Sequence, residues 1–138
     1  TIENYDVFSQ AYEQLQDENE EANALLWAPK TAGVVDRLKD TLGQPLKSPQ
    51  SWENFKKYST KQIPTDLGTG SNESVAFLAD WRQLLWGLRT DTRIEVTRTA
   101  GEAFKAGQVW IRAYLRGDVA IARPKAFLKI TGIQYPTA

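Results

Sequence analysis

Residues 108 to 122, QVWIRAYLRGDVAIA, alternate between apolar and other side chains over nearly their whole length. A period of two predicts a β-strand with one face buried. At about 3.3 Å per residue the strand is expected to extend roughly 50 Å, whereas ordinary strands extend about 17 to 20 Å. Gly117 is the expected site of a bulge or bend. The predicted faces are Val109, Ile111, Ala113, Leu115, Val119 and Ile121 against Gln108, Trp110, Arg112, Tyr114, Arg116 and Asp118.

A second alternating stretch at residues 92 to 98 supplies the partner strand. The two stretches are joined by TAGEAFKAG, residues 99 to 107, so an antiparallel arm is predicted. A two-stranded ribbon is marginally stable in water unless its apolar face is covered. We therefore divide the chain into a body, residues 1–87 and 125–138, and an arm, residues 88–124, that leaves the body.

The body is predicted to be α+β, with a mixed sheet and flanking helices. Apolar residues recur at helical spacing near the N-terminus, and a short apolar run before Pro29 indicates a buried strand that leads into a helix. In chain order we expect a helix from residue 3 to about 18, a strand at 24–27, a helix from Pro29 to near Leu42, an edge strand at 55–63, a buried strand at 75–80, a turn or helical stub at 81–87 and a final strand at 126–133.

The amino-acid composition excludes several common classes of catalytic and metal-binding site. The 138 residues include no cysteine and no histidine, so thiol nucleophiles, zinc fingers and Ser-His-Asp triads are absent. A carboxylate-only enzyme is the third hypothesis for function, but the acidic residues at 17–21 point in different directions on a helix end. No catalytic residue, metal or cofactor is therefore assigned.

Charge is unevenly distributed along a chain of zero net charge. Residues 1 to 54 contain ten acidic and four basic side chains, and the remainder carries the opposite surplus. Two interpretations stay open: solvated faces with a chance asymmetry, or complementary surfaces on neighbouring copies, since charge patterns select partners.

The polar face of the arm carries Trp110, Arg112, Tyr114 and Arg116 in series. Trp, Tyr and Arg are enriched at protein interfaces. Platforms that bind single-stranded nucleic acid also interleave aromatic and basic residues. We favour protein contact, because the other face of the arm also needs a cover, and keep a small nucleic-acid-binding module as the alternative.

Four segments occur in a distinctive order along the chain: NALLWAPKTAGVVDRLKDTLGQPL (23–46), QIPTDLGTGSNES (62–74), FLADWRQLLWGLRTDTRIEVTR (77–98) and FKAGQVWIRAYLRGDVAIARPKAFLKITGI (104–133). Their order resembles the C-terminal part of the tailed-bacteriophage major capsid protein family, which has the Hong Kong 97-type capsid fold. The resemblance covers nearly the whole chain, and its specificity lies in the collinear order of loose motifs.

The resemblance implies that the body is an axial-type domain and the arm part of a peripheral-type domain. In the family the arm packs against a spine helix and an extended loop encoded earlier, so the chain, which starts at Thr1 and contains no methionine, is expected to be a fragment. The implied function is a non-enzymatic subunit that self-assembles into hexamers and pentamers of an icosahedral phage or prophage shell around DNA. An encapsulin-type compartment shell is the alternative within the same fold.

The resemblance also implies partners and contact sites. The expected partners are other copies, scaffolding, portal and decoration proteins and DNA bound without specific recognition, in a virion capsid assembled in the bacterial cytoplasm without a membrane. The lysine–asparagine cross-link of some relatives is not carried over, because residues 99–107 contain no asparagine. Beyond the four polar-face residues, the expected contacts are Glu102, Phe104 and Lys105 at the arm tip, and Pro45, Lys47, Pro49 and Trp52 at the capsomer centre.

Overall fold

The computed structural model describes residue 2 and residues 4 to 135. Residues 1, 3 and 136–138, which the sequence prediction places in the body, lie outside the described residues. The chain divides into two units: one ends at Gln83 and resumes at Arg123, and the other is Leu84–Ala122. The elements are α1 (Asp6–Asp17), β1 (Ala24–Trp27), α2 (Pro29–Asp36), β2 (Lys56–Ser59), β3 (Glu73–Ala79), β4 (Leu84–Thr97), β5 (Trp110–Ile121) and β6 (Phe127–Gln134).

The first unit is built on a four-stranded mixed sheet of order β2-β1-β3-β6. Strand β1 runs parallel to β2 and antiparallel to β3, and β6 returns antiparallel to β3. The predicted α+β fold is confirmed, and so is the return of the last strand to the body sheet. The strand predicted at 55–63 is shorter than expected but lies at the sheet edge, where Lys56 is exposed and Lys57 is half-buried.

Helix α1 begins three residues later than predicted. The Asn4 side chain accepts a hydrogen bond from the Asp6 N–H at 3.1 Å and so forms a local turn at the start of the helix. The predicted apolar face is buried except for Val7, which is exposed. The buried side chains are Phe8, Ala11, Tyr12 and Leu15.

The predicted end of the second helix near Leu42 is wrong. Helix α2 starts at Pro29 as expected but ends at Asp36. The Asp40 carboxylate accepts hydrogen bonds from the N–H groups of Leu42 and Gln44, at 2.8 and 2.9 Å. These bonds form a turn that competes with the helix, and Leu42 is left 82% exposed. Neither helix among the described residues is long and apolar enough to cross a lipid bilayer.

Aromatic rings fill the space where the helical layer meets the sheet. Trp52, in a short 3₁₀ helix at Gln50–Glu53, lies 5.1 Å from Phe8 and 5.6 Å from Trp27 between ring centroids. The Phe8–Trp52 pair is edge-to-face, a geometry that adds stability beyond the burial of the rings. The fully buried aliphatic side chains of the same core include Leu15, Leu25, Leu78 and Val35.

Two ion pairs join the end of α1 to the segment that precedes β6. Glu18 contacts Lys125 at 2.6 Å and Glu20 contacts Arg123 at 2.7 Å. Part of the charge complementarity between the acid-rich and base-rich halves is therefore used within one unit. Glu18 and Glu20 belong to the acidic stretch considered for carboxylate chemistry, and here they act as ion-pair partners.

The end of β3 is fixed by the carboxylate of Asp80, which is only 4% exposed. Arg82 binds it through two hydrogen bonds of 2.8 and 3.1 Å, and Asn23 donates a third of 2.7 Å. The Asp80 N–H donates to the carbonyl of Ala126 at 3.0 Å. The carboxylate thus joins Asn23, just before β1, to Arg82, while the backbone N–H of Asp80 binds the segment that re-enters the unit at Ala126.

The turn or helical stub predicted at 81–87 is correct only for its first part. A 3₁₀ turn covers Trp81–Gln83, and β4 begins at once with Leu84. The local composition, with adjacent Leu84 and Leu85, does not alternate, so the strand signal is hidden at the sequence level. The hairpin is consequently longer at this end than the sequence indicates.

Replacement of Asp80 by alanine is expected to lower the free energy of unfolding by about 1–3 kcal/mol, because the amide of Asn23 loses its partner. The hydrogen bond from Arg82 holds the pKa of Asp80 below its ordinary value. A carboxyl with a depressed folded pKa stabilises fully above its unfolded pKa of about 3.9 and loses that contribution as the pH falls through the folded pKa. Urea unfolding between about pH 7 and pH 2 measures both effects.

The difference in the free energy of unfolding between the wild type and Asp80→Ala is expected to become smaller below about pH 4. Asp66→Ala is the matched control, since Asp66 is exposed, and it should behave like the wild type. A difference that stays constant down to about pH 2 would contradict this role of the carboxylate.

Candidate interaction surface

The second unit is a single antiparallel hairpin. Strand β4 has 14 residues and β5 has 12, and residues 98–109 connect them. The strand predicted at 108–122 and its pairing with 92–98 are both confirmed. At about 3.3 Å per residue β5 extends roughly 40 Å, about twice the length of an ordinary strand.

A bulge lies opposite Gly117, on the partner strand. Leu88 pairs with Gly117 and Thr90 pairs with Arg116, so Arg89 is an extra residue in β4. A bulge or bend was predicted at Gly117 in β5, whereas the structure has the bulge at Arg89, on the paired strand β4. Glycine at this point allows close approach of the partner strand.

A second bulge follows directly in β4. Between the pairs Thr90–Arg116 and Arg93–Tyr114, two residues of β4 face one residue of β5. A single extra residue would turn every later side chain to the opposite face. Two extra residues restore the alternation, so the apolar residues at both ends of β4 share one face.

This apolar face of the hairpin is exposed to solvent. Ile94 is 67% exposed and Ile111 is 70% exposed. Contiguous exposed apolar surface of this kind marks an interaction site in soluble proteins. The large side chains on the apolar face are Leu84, Trp86, Leu88, Ile94, Val96, Ile111, Leu115, Val119 and Ile121.

The ring of Trp86 covers Gly117 on this face. A Cβ atom on residue 117 would lie 2.7 Å from the Trp86 ring and 3.2 Å from the carbonyl oxygen of Gly87. Real Cβ atoms do not approach other atoms at 2.7 Å. Glycine at position 117 therefore leaves room for the Trp86 ring to lie against the ladder.

The polar face is organised around Glu95. The Arg112 guanidinium forms an ion pair with the Glu95 carboxylate, and the Tyr114 hydroxyl donates to it at 3.2 Å. The guanidinium also lies 5.3 Å from the centre of the Tyr114 ring. The hydrogen bond from Arg112 holds the pKa of Glu95 below its ordinary value. Of the four predicted polar-face residues, Arg112 and Tyr114 are thus brought together.

Trp110 lies apart from that cluster, beside the connecting loop. Its indole N–H donates to the Gln108 side chain at 3.2 Å. A Cβ on Gly101 would lie 3.1 Å from the Trp110 ring, so the ring is stacked against the loop backbone. The tryptophan is still partly exposed and supports the loop at the same time.

Sequence reasoning missed Glu95 as a member of the polar-face cluster. The signal was present, because Glu95 alternates with Arg93 and Thr97 on one predicted face. Its cross-strand partner depends on the register, and the two bulges change the register by two residues. Opposite charges in direct pairs stabilise antiparallel strands, but the pair Glu95–Arg112 is visible only once the bulges are known.

The predicted tip residues lie on a turn held by backbone hydrogen bonds. The Gln108 N–H donates to the Ala103 carbonyl at 2.9 Å, and Ala103 is fully buried. Phe104 is 77% exposed. Lys105 lies 3.4 Å from Glu102. The tip therefore presents one apolar ring beside a weak, exposed ion pair.

The residues predicted for a capsomer centre fall into two groups. Pro45 forms an isolated bridge with Lys39, and Lys47 is exposed nearby. Pro49 precedes the 3₁₀ helix. Trp52, by contrast, is half-buried and packs into the aromatic core, with the Lys57 amine 5.0 Å from its ring centre.

Comparisons with known proteins agree with this architecture. A sequence model of the phage capsid family matches residues 1–132. A solved structure from Mycobacterium phage Ogopogo is similar with a TM-score of 0.65 and 15% identity, over 91% of this chain and 48% of that one. The chain thus spans about half the length of the solved chain, and at this identity the similarity shows the fold. No curated protein matches.

Replacement of Gly117 by alanine is expected to displace the exposed Trp86 ring and to destabilise the hairpin by about 0.5 kcal/mol, because the added methyl group would lie 2.7 Å from that ring. Amide hydrogen exchange across β4 and β5 measures the change. Gly87→Ala is the matched control on the same hairpin, since a Cβ there would meet only the Asp118 oxygen at an ordinary 3.7 Å. Equal exchange rates in the two variants would contradict the proposed packing.

Proposed function

The chain belongs to the phage capsid family, and from this we propose that it is part of a structural subunit whose copies assemble into hexamers and pentamers of a closed icosahedral shell around DNA. A shell of identical copies depends on repeated interfaces between them. We therefore propose that the chain binds neighbouring subunits and catalyses no reaction.

The exposed apolar face of the hairpin is the observation that supports this proposal best. A two-stranded hairpin is marginally stable by itself and needs a cover on its hydrophobic face. Within the described chain, the side chains of Ile94 and Ile111 are left largely in water. We infer that other segments of the full-length protein or neighbouring subunits cover this face in the assembled shell.

We assign the first unit to an axial-type domain and the hairpin to a peripheral-type domain. The units of the structure meet at residues 83/84 and 122/123, close to the boundaries at 87/88 and 124/125 predicted from the sequence. Each of the two units supplies its own surface for contact between subunits. Two surfaces are the minimum for a heterologous contact that repeats around a ring.

The proposed subunit contacts involve three places in the chain. Arg112 and Tyr114 are held in position by Glu95 and offer a preorganised polar surface. Phe104 offers an apolar ring on a hydrogen-bonded turn. The full set of proposed contacts is Trp110, Arg112, Tyr114 and Arg116 on the arm, Glu102, Phe104 and Lys105 at the tip, and Pro45, Lys47, Pro49 and Trp52 in the body.

The packing of Trp52 in the aromatic core supports an indirect role for that residue. Its ring positions the loop, and exposed Lys47 and Pro45 are the better candidates for direct contact. We place the full-length protein in the virion capsid, assembled in the bacterial cytoplasm, with scaffolding, portal and decoration proteins as further partners. Packaged DNA would lie nearby without specific recognition.

Electron microscopy and analytical ultracentrifugation of the full-length protein test the proposal. We expect closed shells from the wild type. Ile111→Lys should abolish them, because it places an unpaired charge in the covered apolar face. Leu42→Lys is the matched control, since Leu42 is 82% exposed but lies outside the hairpin, and it should assemble normally.

Two results would overturn the proposal. One is a wild-type protein that stays monomeric at high concentration. The other is an Ile111→Lys variant that assembles as well as Leu42→Lys. Binding of single-stranded nucleic acid by unassembled protein that weakens steeply with salt would instead favour the nucleic-acid-binding alternative.

A further inference from the structure

The two bulges of β4 create a concavity on the polar face of the hairpin that the ion pair of Glu95 does not use. Its volume is ≈ 500 Å³, and its lining is Arg89, Thr90, Asp91, Thr92, Arg93, Tyr114 and Arg116. Bulges often re-aim side chains next to functional sites. Here they bring three arginines to one concave surface.

The concavity is cationic, because three arginines line it and Asp91 is the one carboxylate among the lining residues. Arg89, Arg93 and Arg116 form no ion pair within the hairpin that the structure describes, and Arg93 is near enough to Glu95 to help lower the pKa of that carboxyl. The positive balance of the lining suits carboxylates, which arginine binds with directed hydrogen bonds.

Helix α1 carries the complementary surface. Asp6, Glu13 and Asp17 follow one another on one exposed stripe at helical spacing. Glu13 and Asp17 are like charges at i and i+4, an arrangement that destabilises a helix. Asp17 also lies in the last turn, where the helix dipole disfavours an acid, and that turn contains no basic residue.

The placement of the two arginines is compatible with a pair of carboxylates. Carboxylates at i and i+4 on a helix have Cβ atoms about 5–6 Å apart. Arg93 pairs with Tyr114 and Arg116 pairs with Thr90, so the two arginines lie on one face of the hairpin, on either side of the second bulge, and line the same concavity. Their long side chains can adjust to the separation of the two carboxylates.

We propose that the arginine concavity of one copy binds the acidic stripe of α1 on a second copy, through Arg93 and Arg116 with Glu13 and Asp17. This inference rests on the proposed function, since it names the partner of one face of the arm. The partner is a second copy because the two surfaces carry opposite charge and a shell of identical copies brings different surfaces of neighbouring subunits together. Binding would relieve the unfavourable charges of α1 and the uncompensated charge of the concavity together.

Charge reversal in the full-length protein tests the pairing. Arg116→Glu and Asp17→Arg are each expected to raise the protein concentration needed for half-maximal assembly by about tenfold or more. The combination of both substitutions should recover assembly to within about threefold of the wild type. Arg98→Glu and Asp66→Arg are the matched controls, since both positions are exposed and lie outside the two surfaces, and they should have no effect.

Circular dichroism and thermal unfolding of each variant establish that it is folded. The inference is overturned if folded Arg116→Glu assembles like the wild type, or if the combined variant assembles no better than the single ones. It is also overturned if Arg116→Glu forms normal shells that retain less DNA, because the arginines would then bind phosphate. A wild type that forms no shell overturns the proposed function itself, and the two failures are thus distinguishable.

Discussion

The structure of the arm depends on one constraint, the pairing register of β4 with β5. Because side chains alternate along a strand, one extra residue exchanges the two faces. Strand β4 contains two extra residues, at Arg89 and between Thr90 and Arg93, and the alternation is restored. The same two bulges gather the apolar side chains on one face, place Glu95 opposite Arg112 and shape the arginine concavity. One geometric device therefore produces both of the surfaces proposed for binding.

Asp80 organises the part of the first unit where the chain leaves and re-enters it. Its carboxylate binds Arg82 and Asn23, and its backbone N–H binds Ala126. A buried carboxylate with three side-chain hydrogen bonds is costly to displace. The aromatic cluster around Trp52 stabilises the face of the sheet on which α1 packs. In the proposed pairing, the acidic stripe of α1 and the arginines of the hairpin are the two different surfaces that a repeating heterologous contact requires.

Local pattern was sufficient for much of this fold. The period of two predicted β5 and its partner, and Pro29 predicted the start of α2. Prediction failed where one side chain overrides a pattern. Helix α2 ends at Asp36, and the Asp40 side chain forms a turn where the helix was predicted to continue towards Leu42. Adjacent Leu84 and Leu85 do not alternate with polar residues, so the first part of β4 was not predicted. The Glu95–Arg112 pair could not be found without the register, and the core position of Trp52 depends on residues distant in sequence.

The central claim is that the apolar face of the hairpin is covered in the assembled particle. Its most direct test is thiol labelling of the full-length protein with cysteine introduced at position 111 or 42, since the chain itself contains no cysteine. In assembled shells, Ile111→Cys should be labelled at least about tenfold more slowly than Leu42→Cys, because a covered side chain excludes the reagent. Equal labelling rates at the two positions in intact shells would contradict the account.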